Sequence, residues 1–156
     1  MNAPSLSSVD TTPFRARRAR LLQRMQAAGG GVAILPTAPE RVRNRDAHYA
    51  YRHDSYFYYL TAFREPEAVV VLVAGKETKQ ILFCREKNEE REIWDGYRWG
   101  PDAAREAFGF DEAWTIGDLE KRLPDYLADQ PLLWTRLGSA NVWAARVLGA
   151  LYAVGD

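Results

Sequence analysis

Glu67-Ala68-Val69-Val70-Val71-Leu72-Val73-Ala74, then Gly75-Lys76-Glu77-Thr78-Lys79, then Gln80-Ile81-Leu82-Phe83-Cys84-Arg85 is the most informative stretch of this chain. Its first run holds the longest apolar segment, Ala68 to Ala74. That length suits one buried strand and falls far short of the roughly 18 residues a membrane span needs. The second run reads as another strand, and the glycine-led polar pentapeptide between them as a hairpin turn. Upstream, Val32-Ala33-Ile34-Leu35 is a further short buried strand, stopped by Pro36 and Pro39. Downstream, Leu132-Leu133-Trp134-Thr135 is a strand bounded by Pro131 and Gly138.

Helical signals lie between these strands. Thr11 or Thr12 can cap a first helix, with Pro13 in its first turn, where a missing N–H costs nothing. Phe14, Leu21, Leu22, Met25 and Ala28 form its apolar stripe, and Gly29-Gly30-Gly31 ends it. Arg18 falls inside that stripe, so it must snorkel or meet a carboxylate. Residues 88–95 look helical. Pro101 to Phe108 is a stronger helix with Gly109 after it. Asp118 can cap another, carrying Leu119, Leu123, Tyr126 and Leu127 on one face, with Pro124 expected to bend or divide it. Ser139 can cap a last helix bearing Trp143, Val147, Ala150 and Leu151. Tyr56-Phe57-Tyr58-Tyr59-Leu60 is ambiguous between helix and strand, and 40–55 reads as a long ordered loop. Alternating strands and helices with at least one hairpin predict an α/β fold on a mixed sheet.

Bulk properties narrow the function. The 156 residues fit one domain, and 21 basic against 21 acidic side chains leave a net charge of zero. That balance argues against a dedicated nucleic-acid binder. A lone cysteine, Cys84, excludes an internal disulfide and a cysteine zinc site, and suits a reducing cytoplasm. The first ten residues lack a basic start followed by an apolar run, so they do not read as a signal peptide.

Candidate chemistry is sparse. Both histidines, His48 and His53, share a loop with Asp46 and Asp54. A metal site is conceivable there, but the spacing matches no metal signature and a solvated polar loop is the simpler reading. Cys84, inside a strand, reads as a small buried hydrophobe rather than a nucleophile. The three glycines follow a helix and open a strand, the reverse of a phosphate cradle. Arg41, Arg43, Arg45 and Arg52 with Tyr49, Tyr51 and Tyr56 to Tyr59 would suit single-stranded nucleic acid by stacking and charge. Such aromatic density more often makes a core or an interface. No Ser-His-Asp constellation is recognisable, and residue types alone complete no active site.

Two longer stretches carry a resemblance. Arg43-Asn44-Arg45-Asp46-Ala47-His48-Tyr49-Ala50-Tyr51-Arg52-His53-Asp54-Ser55-Tyr56-Phe57-Tyr58-Tyr59-Leu60-Thr61-Ala62-Phe63, followed by Glu65-Pro66-Glu67-Ala68-Val69, is one. Glu92-Ile93-Trp94-Asp95-Gly96-Tyr97-Arg98-Trp99-Gly100-Pro101-Asp102-Ala103-Ala104 is the other. Together, in order and spacing, they resemble the N-terminal domain of bacterial Xaa-Pro aminopeptidase (aminopeptidase P), one of the creatinase/prolidase-type two-domain metallopeptidases. The resemblance runs over about residues 13–153. Ala62 departs from it, standing where a glycine is usual.

The resemblance implies a ribonuclease-H-like α/β layer, a mixed sheet with helices on both faces, over 12–156, preceded by a polar tail over 1–11. Family members release the residue that precedes proline at a peptide's N-terminus. A C-terminal pita-bread domain does this with two divalent metal ions, commonly manganese, held by two Asp, one His and two Glu, and a bridging hydroxide attacks the carbonyl. That catalytic half lies outside this sequence, so no catalytic residue, metal ligand or cofactor is expected in this chain, and the fragment alone is expected to be inactive. The implied partners are the catalytic domain, further copies in a dimer or tetramer, and proline-containing peptides; neither membrane nor nucleic acid is expected. By position, Asp46 falls in the loop that reaches a neighbouring subunit's active site, where a carboxylate suits a substrate's α-amino group. Trp94 matches the tryptophan at the site entrance, where a flat ring suits proline and apolar side chains. The plain alternatives are a loop cap or an ion pair with Arg45 or Arg52 for Asp46, and a partly buried helix residue for Trp94. Tyr51 and Arg52 read as structural. Competing classes are a free-standing interaction module and a single-stranded nucleic-acid binder using the Arg/Tyr loop.

Overall fold

The computed structural model describes residues 10–37, 55–128, 130 and 133–135. In chain order the elements are α1 (Thr12–Ala27), β1 (Gly31–Pro36), α2 (Ser55–Thr61), β2 (Val69–Ala74), β3 (Thr78–Cys84), α3 (Glu89–Asp95), α4 (Pro101–Phe108), β4 (Glu112–Thr115), α5 (Leu119–Leu127) and β5 (Leu133–Thr135). One sheet joins all five strands in the order β4-β3-β2-β1-β5. The hairpin expected from 67–85 stands at its centre, with β2 antiparallel to both β1 and β3. Parallel strands flank it, β4 beside β3 and β5 beside β1, so the sheet is mixed as predicted.

Period-two alternation sorts the strand side chains onto two faces. Ala33, Leu35, Val70, Leu72, Ala74, Leu82 and Cys84 pack with Leu22 and Met25 of α1, Phe57 and Leu60 of α2, and Ala104 and Phe108 of α4. Val32, Ile34, Val69, Val71, Val73, Ile81 and Phe83 face the other way, against Leu119, Leu123 and Leu127 of α5. Helices thus cover both faces, and all six residues of β2 are buried. This two-sided burial is why β2 reads as an unbroken apolar run rather than an alternating one. None of the helices among the described residues is long and apolar enough to cross a membrane.

Local expectations mostly hold, with instructive exceptions. Neither Thr11 nor Thr12 caps α1 with its side chain; the Asp10 carboxylate accepts the Thr12 N–H at 3.0 Å instead. That bond holds the Asp10 carboxyl below its ordinary value. Ala28 is exposed and does not join the buried stripe of α1. Gly29-Gly30-Gly31 does end the helix. The Gly30 N–H reaches the Met25 carbonyl at 2.7 Å, and a Cβ at Gly30 would stand 2.7 Å from the Ala74 carbonyl oxygen. The ambiguous 56–60 stretch is helical. Pro124 does not divide α5, because a nine-residue helix entered from a tight turn at Ile116–Asp118 loses at most one internal bond to it. Asp118 sits at the N-cap without a capping bond and pairs with Arg122 at 3.7 Å. Strand β4 was not foreseen, since Glu112-Ala113-Trp114-Thr115 offers too few apolar residues to show a period. Asp111 sets its register, exchanging backbone and side-chain bonds with Gln80.

Arg18 meets neither water nor a carboxylate. Its guanidinium donates to the Leu60 carbonyl at 2.7 Å, to those of Phe108 and Gly109 at 2.7 and 3.2 Å, and to the Gln80 side chain, and it lies 4.3 Å from the Phe110 ring centre. Those carbonyls end α2 and α4, so two negative helix ends stand in for the expected acid. Burial pushes the guanidinium down to about 10, which still leaves it charged at neutral pH.

Candidate functional site

The second motif stretch builds one exposed platform. Helix α3 is short and acidic at its start: Asn88 caps it, its side chain accepting the Arg91 N–H at 3.1 Å, and Glu89, Glu90 and Glu92 lie in the first turn. Those charges complement the positive end of the helix dipole. The apolar residues of α3 do not face the core. Ile93 is 71% and Trp94 85% exposed, whereas Glu92 is the buried residue of the helix. This inverts the usual amphipathic order.

A chain of alternating charges explains the inversion. Glu92 Oε1 accepts Lys87 Nζ at 2.9 Å and the Arg98 N–H at 3.1 Å. Lys87 also donates to the Arg98 carbonyl at 2.8 Å and lies 4.1 Å from the centre of the Tyr97 ring. Deeper in, Glu65 accepts the Trp99 N–H at 2.8 Å and pairs with Arg85 at 3.3 Å. Arg98 acts on both carboxylates. The order Arg85, Glu65, Arg98, Glu92, Lys87 is therefore plus, minus, plus, minus, plus. The bond from Lys87, then that from the Arg98 N–H, holds the Glu92 carboxyl below its ordinary range. Burial raises Glu65, against the pull of the Trp99 N–H and Arg85.

Backbone and ring geometry complete the platform. Gly100 has φ of 76°, and a Cβ there would come within 2.9 Å of Lys87 Cβ, so only glycine lets the two segments close. Tyr97, Trp99, Phe108 and Phe63 form an edge-to-face ladder with centroids 5.2–5.6 Å apart, linking the turn to the core. The result is a hydrogen-bonded base that leaves the Trp94 indole exposed.

Of the residues singled out from sequence, Trp94 lies on α3 with its ring exposed in this chain. Cys84 is buried and pushed up to about 12, chiefly by burial, as a strand residue rather than a nucleophile. Asp46, His48, His53, Asp54, Tyr51 and Arg52 lie outside the described residues, as do Arg41, Arg43, Arg45 and the helix expected after Ser139. Among the described residues no group of three or more His, Cys, Asp or Glu side chains is placed to hold a metal ion. Lys87, Arg85 and the burial of Glu92 were missed by sequence reasoning. They sit in the run Arg85-Glu86-Lys87-Asn88-Glu89-Glu90-Arg91-Glu92, which looks uniformly solvated. The one signal was Glu92 standing next to Ile93-Trp94 in the motif.

Ala62 is also accounted for. It has φ of 64°, just past the end of α2, where its N–H reaches the Tyr58 carbonyl at 2.9 Å. That left-handed conformation favours glycine.

Comparison with known proteins agrees with this geometry. Residues 14–134 match the family model "Aminopeptidase P, N-terminal domain". The Xaa-Pro aminopeptidase of Escherichia coli (strain K12) is 39% identical over 120 residues, covering 76% of this chain and 27% of that protein. A solved low-pH form of E. coli aminopeptidase P superposes with a TM-score of 0.87 at 33% identity, covering 95% of this chain and 34% of that one. A Zn-substituted form of the E. coli enzyme in complex with product gives 0.84 at 34% identity, over 92% and 33% of the two chains. This chain thus spans about a third or less of the length of the relatives it matches. With the motif order, the mixed five-stranded sheet and the match over 14–134 in agreement, the chain belongs to the aminopeptidase P N-terminal domain family.

Proposed function

We propose that this domain, over 12–156, is the non-catalytic entrance wall of a cytoplasmic Xaa-Pro metalloaminopeptidase. Cleavage is done by a separate catalytic domain holding two divalent metal ions, manganese in the native state. The observation that carries this reading is the Trp94 ring, 85% exposed on a helix anchored by charge, inside a family motif. An indole left in water on a hydrogen-bonded base is suited to rest against proline and apolar side chains of an incoming peptide. Asp46, in the other motif, supplies a carboxylate for the peptide's free α-amino group, reaching the active site of a neighbouring subunit in a dimer or tetramer. The names of the similar proteins support the substrate class. The free, buried thiol of Cys84 suits the reducing compartment.

The test is made in the full-length enzyme. Trp94→Ala and Asp46→Asn are each expected to lower kcat/KM for Xaa-Pro peptides, and Trp94→Ala to leave the fold intact, since exposed substitutions usually change stability by no more than about 0.5 kcal/mol. An unchanged kcat/KM across several peptides removes the residue concerned from the entrance. The isolated domain with manganese is expected to give no turnover above a protein-free control.

A further inference from the structure

We propose that Glu92 is a positioning residue for the entrance: its buried carboxylate latches α3 to the body of the domain and so fixes where the Trp94 ring stands. This inference rests on the entrance reading of Trp94. A helix of seven residues is well below the roughly 12–15 that hold shape alone in water, so α3 depends on tertiary contacts. Its apolar side chains, Ile93 and Trp94, are largely exposed and bury little against the body. What ties it inward is Glu92, through Lys87 Nζ at 2.9 Å and the Arg98 N–H at 3.1 Å. Lys87 closes the loop by bonding the Arg98 carbonyl, so helix and following turn are clipped at one point. Glu92 and Trp94 are two residues apart on the same short helix, and freeing one frees the other. The groups acting on Glu92 are Lys87 and Arg98, and Arg98 also pairs with Asp95 at 3.6 Å. A hydrophobic anchor would compete with the indole for apolar partners; a charged one leaves the ring available.

The experiment compares wild type, Glu92→Ala, Trp94→Ala and the double variant in the full-length enzyme, with Glu92→Gln as the shape-preserving second variant. Amide exchange over residues 89–98 is expected to quicken on the order of tenfold in Glu92→Ala, because the helix loses the tie made by its buried side chain. KM for an Xaa-Pro peptide is expected to rise roughly three- to tenfold with kcat nearly unchanged, below the ~100-fold that misplacement of reacting groups can cost. Lys87→Arg should keep the wild-type KM, and Lys87→Met should raise it. In the Trp94→Ala background, Glu92→Ala should add little, as expected of residues acting as one unit. Unchanged exchange in Glu92→Ala overturns the latch. An equal KM effect with and without Trp94 overturns its action through the ring. If Trp94→Ala alone leaves KM untouched, the entrance reading falls and the positioning role with it, while faster exchange in Glu92→Ala would show that the latch itself survives.

Discussion

The end of the domain where α1, α2 and α4 meet and the α3 platform each close around a charge hidden from water, and they do so by different physics. Around Arg18 the fold is already built by apolar contact: Leu22, Met25, Leu60 and Phe108 are buried beside it. The guanidinium is added to that core to satisfy three carbonyls at helix ends. Around Glu92 no apolar residue of α3 is buried, and the charge is itself an attachment. The lesson is that a buried charge has two uses. In one it completes a body that hydrophobic burial has made. In the other it replaces burial, leaving apolar side chains free to meet something else.

The sharpest way to break this contrast is Arg18→Met. It fills similar space but strands the Leu60, Phe108 and Gly109 carbonyls, each costing about 1–3 kcal/mol when buried unpaired. A loss of about 3–5 kcal/mol is expected for the domain as a whole, read as a lower urea midpoint with an unchanged slope. A small effect would mean the carbonyls find other partners.

A second comparison uses pH. Because the Glu92 carboxyl titrates below its ordinary 4.5 in the folded state, its contribution is present above that value. It is lost as pH falls through the lowered folded value. Glu65 runs the other way: its raised value means the folded state takes up a proton more readily, favouring the fold as pH drops through that value. Protection of the α3 amides, read as exchange relative to the intrinsic rate at each pH, is therefore expected to fall as pH drops through the lowered Glu92 value, and Glu92→Gln should remove that acid response. Residues around Arg18 should show no such change, since its guanidinium stays charged throughout. An acid loss of protection that persists in Glu92→Gln would show that another group controls α3.

The smallest expected effect is at Ala62. Replacing it by glycine removes a buried methyl, worth about 0.8 kcal/mol, but relieves a left-handed alanine costing about 1–2 kcal/mol. Glycine's own chain entropy offsets part of the gain, so stability should stay within about 1 kcal/mol of wild type. A loss well above that would show the methyl packing to matter more than the backbone.

Legibility in the sequence followed the physics of each part. The strands β1, β2 and β3 announced themselves because burial on both faces demands unbroken apolar runs. Helix α4 was readable from Pro101 and Gly109, whose backbone preferences are local. Strand β4 was not, because its place is set by Asp111 bonding across to Gln80, a contact between residues 31 apart. Trp94 could be singled out through its motif, but its exposure could not, and neither could the burial of Glu92 within a run of charges.

Taken alone, the amino-acid order determined the layer architecture, the family and the absence of a self-evident nucleophile, because hydrophobic period, turn residues and motif spacing are properties of neighbours along the chain. Only the folded structure decided which charges are inside. Whether Arg18 meets a carboxylate or three carbonyls, and whether Glu92 or Ile93 faces inward, depends on groups brought together from distant segments. A charge's free energy is set by what surrounds it in space rather than by what adjoins it in sequence.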